Sequence, residues 1–209
     1  MTGAAIVHEG KVVAAGHKGI ESDSDDTRHA ELVAGVAADD RVLLRSATEA
    51  DAPALLAIYA PYVEHTTVSF ETTVPGTDEF AARIRRYAGG WAWLVAEREG
   101  QLLGYAYGSP HRERAAYRWS VETSAYVAPD ARRQGAGRKL YLALFEALAD
   151  RGYCNAYAGI ALPNDASIAL HRAVGFEPVG VFHAAGRKFG AWRDIAWYER
   201  RLRDLPPEV

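Results

Sequence analysis

Residues 119–150, WSVETSAYVAPDARRQGAGRKLYLALFEALAD, constrain the fold of this chain more than any other stretch. The first nine residues alternate as a strand does, whereas Leu140, Leu144 and Leu148 recur every four residues, the spacing of one helical face. Between these patterns stand Gly135 and Gly137, with Arg132 and Arg133 before them and Arg138 and Lys139 behind. The unit is a strand passed to a helix, expected over 134–150, through a basic turn that carries glycines.

The rest of the chain repeats the alternation. A brief strand is expected at VLLR, followed by a helix that opens with Thr48 as N-cap and Asp51 three residues on, and buries Leu55, Leu56, Ile58 and Tyr59. A helix is expected around DEFAARIRRYA, then strands at WAWLVAER and QLLGYAYGS joined by a turn at Glu99-Gly100. After the long helix come a strand at CNAYAGIA, a helix over 166–174 stopped at Gly175, and strands near EPVGVFHAAG and DIAWYERRL. The expected fold class is α/β (α+β): one mixed central sheet flanked by helices. Two short apolar runs at the front, GAAIV and KVVAAG, read as a small hairpin extension. Composition changes near residue 40, which divides the chain into 1–41 and 42–209.

Composition bounds the partners. The chain has 209 residues and a formal net charge of −3, so it carries no overall basic surface for nucleic acid or an anionic membrane, and any anion site must be local. No apolar run reaches the ~20 residues of a membrane helix, and the start lacks a signal-type core, so a cytoplasmic location is expected. The single cysteine, Cys154, leaves no intrachain disulfide and no multi-cysteine metal site.

The glycine turn suits a phosphate. At a helix start the first backbone N–H groups are free, glycine lets the main chain come close to a ligand, and the helix dipole favours negative charge. Two familiar phosphate loops are excluded by spacing: no Gly-Lys-Ser/Thr ends the run, and Leu140 stands where a dinucleotide fingerprint needs a third glycine. In the preceding strand Glu122, Ser124 and Tyr126 share one face and Val121, Thr123, Ala125 and Val127 the other. A glutamate in mid-strand is costly unless wet, paired or used, which makes Glu122 a candidate base facing a cleft. Further on, LPNDASIALHRAVGF reads as a helix capped by Asn164 or Asp165, with Asn164 and His171 two turns apart. Phe70 in TTVSF is placed to wall a substrate pocket. In HRERAAYRW, Arg112 or Arg114 is suited to a carboxylate, phosphinate or sulfoximine oxygen.

VAPDARRQGAGRKL resembles the Arg/Gln-x-x-Gly-x-Gly/Ala signature of the GCN5-related N-acetyltransferases. With RSATEADAPALLAIYAPYVEHTTVSFET, WLVAEREGQLLGYAYG, AYRWSVETSAYV, LPNDASIALHRAVGFEPVG and AAGRKFGAWRDIAWYERRL, the chain is similar to their phosphinothricin acetyltransferase branch from Leu43 to about Leu205. The resemblance implies acetyl-CoA as co-substrate, no metal, a small amino-acid-like amine as acceptor, direct attack on the thioester, and a homodimer. It implies that Arg132, Arg133, Gln134, Gly135, Ala136, Gly137 and Arg138 hold the pyrophosphate, with Asn164 and Ser167 also on the cofactor. Backbone N–H groups near Val127 then stabilise the carbonyl oxygen. Glu122 falls on the branch's catalytic glutamate and His171 on its catalytic histidine; His171 and Tyr126 are the candidate donors to the leaving sulfur. Phe70, Arg112, Arg114 and Tyr117 fall at the acceptor. The chain departs from the branch at His111, where Trp is usual, and at Arg118.

The front segment resembles the opening of a cytidine or deoxycytidylate deaminase, with His29-Ala30-Glu31 where zinc and proton transfer would be handled. That chemistry also needs Pro-Cys-x-x-Cys, which one cysteine at 154 does not supply. Residues 1–41 therefore read as a vestige without its own activity, and a zinc deaminase is disfavoured. A non-catalytic acetyl-CoA sensor is the other alternative, opposed by the presence of both Glu122 and His171.

Overall fold

The structure, a computed structural model, describes residues 5–8, 11–15 and 42–205. Among these residues nine strands form one sheet: β1 (Ala5–His8), β2 (Lys11–Ala15), β3 (Leu43–Ser46), β4 (Trp93–Arg98), β5 (Gln101–Pro110), β6 (Ser120–Val127), β7 (Asn155–Ala161), β8 (Glu177–Lys188) and β9 (Ala191–Arg201). Their order is β2-β1-β3-β4-β5-β6-β7-β9-β8. The pairs β1/β3 and β6/β7 are parallel and the rest antiparallel, so the sheet is mixed, as the sequence pattern requires. The expected front hairpin is β1 and β2, and it extends the same sheet beside β3. His29-Ala30-Glu31 lies outside the described residues.

Among the described residues four helices flank the sheet: α1 (Ala52–His65), α2 (Thr77–Gly90), α3 (Ala136–Asp150) and α4 (Asp165–Ala173). On one face α1 and α2 cover an aromatic layer. Trp93 and Tyr107 stand opposite each other and stack at 4.3 Å, Tyr105 faces Tyr126, and Phe80 of α2 and Tyr59 of α1 pack edge-on against them. On the other face α3 presses so close that a Cβ at Gly108 would stand 2.9 Å from Leu148.

Local chemistry explains the element ends. Ahead of α1, the Thr48 backbone N–H and hydroxyl donate to the Asp51 carboxylate at 2.8 and 3.1 Å, and Arg45 grips both its oxygens. The Glu99-Gly100 turn has φ of +51° and +79°, the left-handed pair that a two-residue hairpin needs. α3 begins at Ala136, two residues later than expected, because Gly135 adopts φ +81° and the Gln134 amide donates to the Asp130 carbonyl at 2.7 Å. α4 spans 165–173 instead of 166–174, and its cap is Asn164, whose side chain accepts from the Ser167 N–H at 3.2 Å.

Candidate active site

The parallel pairing of β6 with β7 stops early, at Glu122 opposite Tyr157. Beyond that point the two strands part. The Ala128 N–H donates to the Leu103 carbonyl, which fixes the antiparallel ladder so that even-numbered residues of β6 bond to β5. The backbone N–H groups of Ala125 and Val127 therefore face the gap that β7 leaves. Tyr62 of α1 donates to the Val127 carbonyl at 2.6 Å and steadies this end of the strand.

The basic turn stands at the far end of that gap. α3 has no side-chain cap, and its first backbone hydrogen bond is Lys139 N–H to Gly135 carbonyl, so the N–H groups of Ala136, Gly137 and Arg138 keep no helical partner. A Cβ on Gly135 would meet nothing within 4 Å. Arg132, Arg133, Gln134 and Arg138 are exposed around it, with Arg132 lying 5.3 Å over the Tyr62 ring. Gly137 differs from the sequence reading. A Cβ there would stand 3.2 Å from Leu170 and 3.5 Å from Val127, so packing of α3 against α4 and β6 requires its bareness, while its N–H still serves the turn. An uncapped helix start, local positive charge and an open sheet edge fit a ligand with a pyrophosphate and an extended arm.

The three candidate catalytic side chains do not form one cluster. Glu122 lies on the α1/α2 face, where its Oε1 accepts from Arg112 Nη1 at 3.0 Å and meets His111 Nδ1 at 3.2 Å. Tyr126 is on the same face but about 13 Å further along the strand. Its ring packs among Tyr59, Tyr62 and Tyr105, and burial raises its pKa well above the ordinary tyrosine value. His171 sits with Tyr141 and Phe176 on the α3/α4 side and is 5% exposed. Its Nδ1–H donates to the Ser167 carbonyl at 2.7 Å, which leaves Nε2 to accept from the Tyr141 hydroxyl at 2.9 Å. Burial lowers its pKa against the opposing pull of Ser167, so the ring is neutral near pH 7. Asn164 and His171 stand two turns apart along α4; the Asn164 side chain caps its own helix, and His171 turns inward.

The acceptor candidates also rearrange. Arg112 is already engaged, donating to Glu122 and to the His111 carbonyl and lying 5.8 Å over Trp197. Arg114 is exposed and makes no hydrogen bond or ion pair with the described residues. Tyr117 meets the His111 ring edge-on at 5.7 Å. Phe70 is partly exposed and packs so tightly on β8 that a Cβ at Gly186 would strike its ring. Lys188 fixes that contact, donating to the Val63 and Ser69 carbonyls at 2.6 and 2.7 Å. Sequence reasoning missed Tyr141, Lys188 and a cavity of about 300 Å³ lined by Tyr59, Glu71, Arg83, Trp93 and Tyr107 among others. No spacing rule reports such contacts between distant elements.

The chain matches the model of the Acetyltransferase (GNAT) domain over residues 44–197. It belongs to the GNAT acetyltransferases. A phosphinothricin N-acetyltransferase of Streptomyces coelicolor is 41% identical over 175 residues, covering 77% of this chain and 96% of the relative. An L-methionine sulfoximine/L-methionine sulfone acetyltransferase of Pseudomonas paraeruginosa is 39% identical over 164 residues, covering 76% and 94%. Among solved structures, a GNAT superfamily phosphinothricin acetyltransferase from Sinorhizobium meliloti in complex with AcCoA superposes with TM-score 0.74. It is 39% identical and covers 77% of this chain and 88% of that one. The matched GNAT region contains β3 through most of β9, hence the glycine turn, Glu122 and His171 together.

Proposed function

We propose that this GNAT enzyme transfers the acetyl group of acetyl-CoA to the primary amine of a small amino-acid-like acceptor of the phosphinothricin or methionine sulfoximine type. The observation that carries the reading is the parting of β6 from β7 beside the uncapped start of α3, with Glu122 at its near end. The names of the relatives support the acceptor class.

The thioester supplies the acyl group when bound. Arg132, Arg133, Arg138 and the first N–H groups of α3 hold its pyrophosphate, with Gln134 shaping the turn. The N–H groups of Ala125 and Val127 are placed to polarise a carbonyl lying in the gap, where pre-aimed donors act most strongly. Around Glu122 the acceptor's ammonium loses its proton, because only the free amine is a nucleophile. Tyr126, held protonated by burial, is the better hydrogen-bond donor to the leaving sulfur. The ring proton of His171 is committed to Ser167, so we assign His171 the role of orienting the Tyr141 hydroxyl. Phe70, Arg114 and Tyr117 receive the acceptor's distal end, with Asn164 and Ser167 on the cofactor side through the start of α4.

Residues 42–209 form the acetyltransferase unit and residues 1–41 an appended segment with no activity of its own. The enzyme works in the cytoplasm without metal, nucleic acid or membrane partner. It pairs as a homodimer, for which the exposed Val179, Val181, Phe182 and Trp192 of β8 and β9 supply apolar surface.

The test is a panel of amino acids, their sulfone, sulfoximine and phosphinate analogues, and polyamines, read by release of free thiol from acetyl-CoA. Amino-acid analogues with a tetrahedral phosphinate, sulfoximine or sulfone group should give the highest kcat/KM. No thiol release above blank with any amine would sink the reading.

A further inference from the structure

Glu122 is not a bare base. Its Oε1 already accepts from Arg112, and the third partner of this cluster is a histidine drawn from the loop after β5. An ionised carboxylate can only accept, so His111 Nδ1 carries the ring hydrogen and donates it to Glu122 across 3.2 Å. The lone pair then lies on Nε2. That atom makes no hydrogen bond to any described residue. The ring is fixed in place: it stacks on Tyr157 of β7 at 4.4 Å and 20°, and meets Tyr117 and Trp197 of β9 edge-on at 5.7 and 6.4 Å.

We infer that His111 Nε2 is the atom that takes the acceptor's proton, with Glu122 orienting the ring through Nδ1–H and Arg112 fixing Glu122. This rests on the acetyl-transfer reading. An ammonium acceptor loses two protons over the reaction. Nε2 takes the first, which frees the nitrogen lone pair to form the C–N bond. The C–S pair leaves with sulfur, one proton ends there as the thiol and the other in solvent, and His111 returns to its neutral form. The imidazolium formed in between lies against the Glu122 carboxylate, which stabilises it.

The surroundings of the ring agree with that role. The ionisable groups that face it are Glu122 on β6, Arg112 beside it, Tyr117 in the following turn and Tyr157 on β7, with Glu199 of β9 opposite Tyr157 in register. Burial and then the Arg112 charge hold His111 below the ordinary histidine value, against the pull of Glu122. The ring is therefore uncharged at neutral pH and ready to accept. Glu122 Oε1 is already engaged by two donors, Arg112 and His111. A base whose pKa lies close to the working pH is also the more effective one.

His111→Gln and His111→Ala in the full chain test the assignment. Expected are unchanged acetyl-CoA affinity by calorimetry, a ~10² to 10⁴-fold fall in kcat, loss of the acidic limb of the kcat/KM profile, and partial rescue of His111→Ala by added imidazole. Nitrogen-15 spectra of the labelled ring should show the hydrogen on Nδ1. An active wild type with an equally active His111→Gln, or a ring hydrogen found on Nε2, overturns the proposal and leaves the acetyltransferase reading standing. A wild type that acetylates no amine overturns both.

Discussion

Single residues in this protein act through what they are attached to. Glu122→Gln keeps size and one acceptor oxygen but removes the charge that supports His111, so turnover should fall about 10²-fold or more while acetyl-CoA affinity holds. Glu122 raises the His111 pKa, so its loss should move the acidic limb of kcat/KM to lower pH, measurable from about pH 5 to 8 around the ordinary histidine value. An unmoved limb would mean that the two side chains are uncoupled. Gly135→Val is the matching change at the turn. Its φ of +81° costs a branched residue roughly 1–2 kcal/mol, and the rearranged N–H groups should weaken acetyl-CoA binding by calorimetry while circular dichroism keeps the helical signal. The sequence showed that Glu122, Ser124 and Tyr126 share a face, because strand alternation is local. It did not show that His111, eleven residues upstream, folds back onto Glu122, nor that His171 turns inward to Tyr141. Those facts depend on where a loop returns and which helix packs above, and neither has a period.

Elements were largely legible for the same reason. The leucine stripe of α3, the Thr48 and Asp51 pair before α1 and the Glu99-Gly100 turn each announce themselves within four residues of chain. The start of α3 moved by two residues because backbone dihedrals at Gly135, not hydrophobic spacing, decide where a helix begins. The Asp51 junction gives a pH prediction. Burial works to raise its pKa, but the Arg45 guanidinium and the Thr48 N–H and hydroxyl together bring it below the ordinary aspartate value. A carboxylate depressed in the folded state contributes stability that is full above its unfolded pKa and is lost as pH falls through the folded one. Asp51→Asn should therefore cost about 1–3 kcal/mol at pH 7, by urea unfolding, and the difference from wild type should shrink as pH is lowered through and below the ordinary aspartate range. A constant difference across that range would show that Asp51 acts by shape alone. Lys188 offers a second check, since its ammonium closes the carbonyls at the end of α1 and fixes the loop that carries Phe70. Lys188→Met leaves both carbonyls without their donor, and should lower Tm and raise KM for the acceptor more than it lowers kcat.

At the scale of the molecule, the sheet is built around one discontinuity. Seven strands, β3 to β9, carry the helices and the parted β6/β7 edge, whereas among the described residues β1 pairs with the outer side of β3 and β2 with β1. Three strands, β3, β4 and β5, separate that attachment from β6. In the sheet order the described hairpin of the front segment lies at the edge beside β3, remote from β6. Removing residues 1–41 should therefore leave kcat/KM and acetyl-CoA affinity within about twofold of the full chain, since β1 and β2, the described part of that segment, stand three strands away from β6. The exposed β3 edge should show a different cost. Four residues of unpaired strand are a template for pairing with other chains, so the truncated protein should unfold at lower temperature and aggregate sooner on heating, by calorimetry and light scattering. If the truncated protein instead stays folded and monodisperse but loses acetyl transfer, residues 1–41 reach the active site, and the division of the chain into a working unit and an appendage is wrong.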